Sequence, residues 1–130
     1  MLLIGITCFS YYSKIENDYF VWNYNLSSND FLLEKTKTCL INFSLLNLPI
    51  TLTLGSVFFN QIDILIVFIL LCYVYLSTMI FAKYSSFPNE MNMSQGILIG
   101  LSLMFPPILL ILIPLFYSQS IKKLNIILND

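Results

Sequence analysis

The chain has 130 residues, 58 % of them hydrophobic and only 10 % charged, with a mean hydropathy of +0.82. That is too little charge to cover the surface of a soluble domain of this size. A net charge of −1, with six Lys and no Arg, provides no basic face and excludes a nucleic-acid partner; the lack of His excludes His-ligated haem, His-containing zinc sites and the usual general base.

The chain begins with an apolar stretch, 1–12, that has no Lys or Arg ahead of it and no small-residue cleavage site behind it, so it does not read as a secretory signal. It is too short to span a bilayer and reads as an arm that packs on a neighbour or lies in the interface. Residues 13–37 hold Lys14, Glu16, Asp18, Asp30, Glu34, Lys35 and Lys37, with Tyr19, Trp22, Tyr24 and Phe31 between them. Trp22 is the expected anchor at headgroup level, where a ring can be apolar on one side and wet on the other. Asn, Ser and Asp at 25–30 predict a loop and a helix start, with Asp30 as the N-cap. Residues 1–37 therefore read as a polar, aromatic arm, and 38–130 as a membrane domain.

No charge occurs at 38–62, 64–82 or 91–121. Each window can supply the roughly 20 apolar residues that cross a hydrocarbon core of about 30 Å. The first helical window, 38–59, contains Pro49, which removes a donor and kinks a helix, so it is either a kinked span or an interfacial segment. The second, 62–82, has no Pro or Gly. Phe58 and Phe59 mark one end and Phe81, Lys83 and Tyr84 the other, so Lys83 and Tyr84 read as interface anchors. Asp63 falls in its first turn, where the helix dipole favours an anion; it reads as a helix cap or, with Gln61, a subunit contact.

The third window, 95–117, contains Gly96 and Gly100 one turn apart, a spacing that lets another backbone approach closely, so both are expected in helix packing. Pro106 and Pro107 near its middle break the hydrogen-bond ladder, and the freed carbonyls need partners inside protein. This window is either a kinked span or a re-entrant hairpin. A spanning third window puts Lys122 and Lys123 opposite the other four Lys. A re-entrant one puts all six on one side, which the positive-inside rule favours. The expected fold is an all-α integral membrane protein with two to three transmembrane helices, the last Pro-kinked or re-entrant.

Chemistry is sparse. The window interiors hold no ionisable carboxylate, Lys or Arg, and proton or ion pathways require such groups. Cys8, Cys39 and Cys72 are odd in number and widely spaced, and the seven carboxylates have no metal-ligand spacing. No catalytic residue, cofactor or metal is expected. Asn42, Asn47, Thr51, Thr53, Ser77 and Thr78 are the only candidates to line a transport path. Codon bias bears on origin: Ile, Asn, Phe, Tyr, Lys and Met make up 59 of 130 residues, while Gly, Ala, Arg and Pro make up 10. An A/T-rich gene fits that split, as in organelle genomes or in A/T-rich nuclear or bacterial ones.

One stretch carries a family resemblance. Asn60-Gln61-Ile62-Asp63 precedes an apolar span containing Phe68 and Tyr73, and Phe81-Ala82-Lys83-Tyr84-Ser85-Ser86-Phe87-Pro88 follows. This resembles subunit 8 of the mitochondrial ATP synthase membrane sector, whose members typically open with Met-Pro-Gln-Leu-Asp. Asn60 stands where that pattern has Pro, and the match begins at residue 60 rather than at a start Met. The resemblance implies a non-catalytic, multi-pass inner-membrane subunit beside subunit a, with Gln61 and Asp63 facing the intermembrane space. Other expectations are an accessory membrane subunit of the respiratory NADH dehydrogenase, or a small transporter or channel. Lipids and other membrane subunits of a large complex are the expected partners.

Overall fold

A computed structural model describes residues 7, 8, 10, 11, 14, 16, 17, 19, 21, 23 and 26–128. Trp22 and Tyr24, read above as interfacial aromatics, and Asp18 lie outside the described residues. From residue 26 to residue 128 the chain forms four α-helices: α1 (Ser28–Val57), α2 (Ile62–Ser86), α3 (Met93–Met104) and α4 (Leu109–Leu128). Short 3₁₀ turns join α1 to α2 (Phe59–Gln61) and α3 to α4 (Pro106–Ile108). Three helical stretches, of 30, 28 and 23 residues, are long and apolar enough to cross a membrane. The protein is an all-helical membrane protein.

Helix α1 starts ten residues before the apolar window that predicts it, and runs through positions 37 and 38, where the charged stretch gives way to the apolar one. The cap is Ser27 rather than Asp30. Ser27 accepts from the Asp30 backbone N–H at 3.2 Å, and its hydroxyl donates to the Asp30 carboxylate at 2.6 Å. Asp30 thus sits three residues inside, where its charge faces the helix dipole. Pro49 does not end the helix. Thr53 donates to the Pro49 and Ile50 carbonyls at 3.1 and 2.9 Å, back-bonding within its own helix.

The turn at Phe59–Gln61 folds α2 back antiparallel to α1. Phe43 meets Tyr73 edge-on at 5.5 Å, and the Ser44 and Tyr73 hydroxyls share a 2.7 Å hydrogen bond. Nearer the other end, Phe31 meets Tyr84 edge-on at 5.3 Å. Each pair is mirrored about the turn, as a hairpin requires.

The window 95–117 is not a single helix. Helix α3 leaves the end of α2, where Gln95 bonds to Ser85 and Ser86, and runs back along it until Tyr75 donates to the Ser102 carbonyl near the middle of α2. The chain breaks at Phe105–Pro107 and α4 returns. Leu112 and Phe116 pack with Met79, Ala82 and Ile99; further on, Leu124 joins the cluster holding Phe31, Tyr84 and Phe87. Helices α3 and α4 therefore form a helical hairpin beside the second half of α2.

Helix α4 packs more extensively on α2 than on any other element. Small residues make this approach close: Thr78 and Ala82 on α2 and Ser120 on α4 are fully buried. In a bilayer, lipid chains are as apolar as Leu, so close packing and interhelical hydrogen bonds, rather than hydrophobic burial, hold helices together.

Candidate functional site

The densest polar arrangement among the described residues lies where α1 begins and α2 ends. Antiparallel pairing sets Lys35 on α1 near Lys83 on α2. Two ammonium groups side by side repel, and Glu16 from the N-terminal arm sits between them. Its carboxylate is 3.1 Å from Lys35 Nζ and 3.4 Å from Lys83 Nζ, and it accepts a 3.0 Å hydrogen bond from the Tyr84 hydroxyl. Lys83 also lies over the Tyr84 ring at 5.2 Å, and Lys35 over the Phe31 ring at 5.6 Å. A cavity of about 10 Å³, room for one water, adjoins Glu16, Lys35, Ile80, Lys83 and Tyr84.

Burial by itself would raise the Glu16 carboxyl. The Lys83 and Lys35 charges, with hydrogen bonds from Lys35 and Tyr84, outweigh it and hold the group below its usual 4.5. Glu16 is therefore ionised at neutral pH and clamps the arm to the α1–α2 hairpin. The cluster gathers three charges where α1 begins and α2 ends; it presents no nucleophile paired with a base. Among the described residues no group of His, Cys, Asp and Glu could hold a metal ion.

Lys83 and Tyr84 are not outward anchors. Both are turned inward, 6 % and 1 % exposed. Gln61 and Asp63 are exposed at the opposite end, in the turn and in the first turn of α2. Among the described residues neither has an ion pair. Gly96 and Gly100 are exposed on α3, and a Cβ built on either meets nothing within 4 Å. Among the described residues no helix packs on them; the close approach between helices is made at Thr78, Ala82 and Ser120.

Glu16 was not singled out in the sequence. The mirror pairing of Lys35 with Lys83 signals that some carboxylate must lie between them, but spacing alone does not choose among Glu16, Asp18, Asp30 and Glu34. A second buried set, Ser85, Ser86 and Gln95, fixes the start of α3. Gln95 accepts from Ser86 at 2.6 Å, donates to Ser85 at 2.8 Å and caps the Asn92 backbone N–H at 3.2 Å.

Most hydroxyls in the spans are used within their own helices. Thr51 donates to the Leu48 carbonyl, Ser77 to Tyr73 and Thr78 to Val74, at 2.7–2.9 Å. The buried Asn47 leaves its Oδ1 without a donor among the described residues.

No protein-family model matches the chain, and neither a curated protein nor a solved structure shows significant similarity to it.

Proposed function

We propose that the chain is a non-catalytic membrane subunit that contributes packing surface to a hetero-oligomeric complex. The observation that carries this reading is the unequal cover of the α1–α2 hairpin. Helices α3 and α4 cover one half of α2. The other half, with the facing part of α1, exposes Leu45, Leu52, Phe59, Ile64 and Val67, each more than half accessible. The subunit reading takes this half as the face that meets neighbouring helices of the complex. The exposed Gly96 and Gly100 add a place where a neighbour's backbone can come close. Thr51, Ser77 and Thr78 turn their hydroxyls onto their own helices, which weighs against a polar transport path.

The resemblance of residues 61–88 to subunit 8 extends the proposal to the mitochondrial inner membrane and the ATP synthase, with subunit a as the neighbour. The separation of Asp63 and Lys83 along α2, opposite ends of one span, supports this extension. The decisive measurement is the mass of the native assembly in mild detergent. We expect a large complex that contains the ATP synthase membrane sector, and no turnover by the purified chain alone. A small homo-oligomer would overturn the subunit reading in favour of a channel or transporter; a large complex of other composition would overturn only the assignment to ATP synthase.

A further inference from the structure

With α2 taken as a full span, the α3–α4 hairpin turns at membrane depth, and its turn is rich in acceptors and poor in donors. The Ser102 and Leu103 carbonyls would take the N–H groups of residues 106 and 107 in a continuous helix, and both of those residues are Pro. Tyr75 replaces the missing donor for Ser102. Leu103 has no replacement: the residues three and four further on are Pro106 and Pro107, and no other donor among the described residues reaches it. The Ile108 N–H, which could serve Met104, is spent on Phe105 at 3.1 Å. Phe105 donates to Leu101 at 3.0 Å, so the shortage is confined to the very tip. The tip is also uncovered, with Leu103 66 %, Met104 85 % and Phe105 62 % exposed. Its depth follows from Tyr75, which lies near the middle of α2.

Lipid tails offer no donor. Irregular backbone at this depth is tolerated only inside protein or beside water, because each unpaired polar group costs several kcal/mol in hydrocarbon. We infer that the tip at Leu103–Phe105 seats a transmembrane helix of another subunit that brings a hydrogen-bond-donating side chain (Ser, Thr, Asn, Gln, Tyr or Trp) to the Leu103 and Met104 carbonyls in the middle of the membrane. This rests on the subunit role proposed above and adds where the partner docks and with what chemistry. Ser102, level with the tip, donates to Ile99 in its own helix and so leaves the docking chemistry to the backbone.

The test is photo-crosslinking in native membranes, with a benzophenone amino acid in place of Met104. The expected result is an adduct with a different polypeptide, mapped by peptide mass spectrometry to a membrane helix turn that carries a donor side chain. Pro107→Ala returns an N–H to Leu103, one of the two acceptors, and should reduce that adduct. Thiol labelling at positions 90 and 122 verifies that this variant keeps the hairpin's sidedness. Adducts with lipid alone, with a second copy of this chain alone, or with a turn lacking a donor would each overturn the inference. So would an adduct whose yield Pro107→Ala leaves unchanged. If the native assembly is large while Met104 meets only lipid, the docking inference fails and the subunit role stands; if the chain is found alone, both fail.

Discussion

The Ser120 hydroxyl on α4 lies 2.6 Å from the Phe81 carbonyl on α2 and 2.6 Å from the Phe116 carbonyl of its own helix. One proton is shared between two helices at a point where both approach closely, with Ser120 fully buried. Ser120→Ala removes the bond and keeps the space, and is expected to cost about 0.6 kcal/mol, the average for an interhelical hydrogen bond in a membrane protein. Ser120→Leu must push α4 off α2 and should cost more, about 1–3 kcal/mol as for other overpacked sites. Denaturant titration of the purified chain in detergent measures both. Equal effects would mean that the two helices do not pack here.

Glu16 makes the attachment of the N-terminal arm depend on pH. Its folded-state value lies below the ordinary 4.5. Its stabilising contribution is therefore complete above 4.5 and is lost as the pH falls through the lowered folded value. Thermal unfolding in detergent should show the wild type losing stability over that acid range, with Glu16→Gln less stable at neutral pH and flat across the same range. A Glu16→Gln chain that matches the wild type at neutral pH would show that the arm is held by other contacts.

Sidedness separates the re-entrant hairpin from a third span. Asp63→Cys, Glu90→Cys and Lys122→Cys, each in a background without Cys8, Cys39 and Cys72, place a thiol at three exposed positions. Positions 90 and 122 should label from the same face of the membrane and position 63 from the other. Labelling of 122 together with 63 would mean that α3 and α4 cross the bilayer.

Gly100→Leu distinguishes inner packing from outer. Open space surrounds Gly100, so the isolated chain should unfold as the wild type does. In cells the same substitution should reduce incorporation into the native assembly, measured as the share of chain migrating with the large complex. A destabilised isolated chain would place the Gly100 contact inside the protein instead.

Much of this architecture could be read from the amino-acid order because the causes are local. Charge-free stretches set the spans, the Asn60–Gln61 gap set the turn between α1 and α2, and Pro106-Pro107 set the break after α3. The choice between kink and hairpin was not local: it depends on whether the chain beyond the prolines packs back along α2, which Thr78, Ala82 and Ser120 decide. These three had no distinct signature, since Ser and Thr serve equally as packing surface, backbone donors or path lining. The early start of α1 was masked by Asp30, the acidic member of a Ser27–Asp30 capping pair. Of the candidate site, Lys83 and Tyr84 were visible as residues but not as buried ones. Their inward turn depends on Glu16, which comes from an arm with no periodicity to fix its path.

Labelling of positions 90 and 122 from one face would put all six Lys on one side, and that has a consequence for how the protein enters the bilayer. In that arrangement only the tip of the α1–α2 hairpin must be carried across, and the one fixed charge it takes along is Asp63. Each elementary charge moved through a membrane potential gains or costs about 2.3 kcal/mol per 100 mV. In an energised membrane that is negative on the Lys-bearing face, moving a carboxylate to the far face runs down the field. The potential then draws the hairpin in, and dissipating it should slow insertion of the wild type more than of Asp63→Asn.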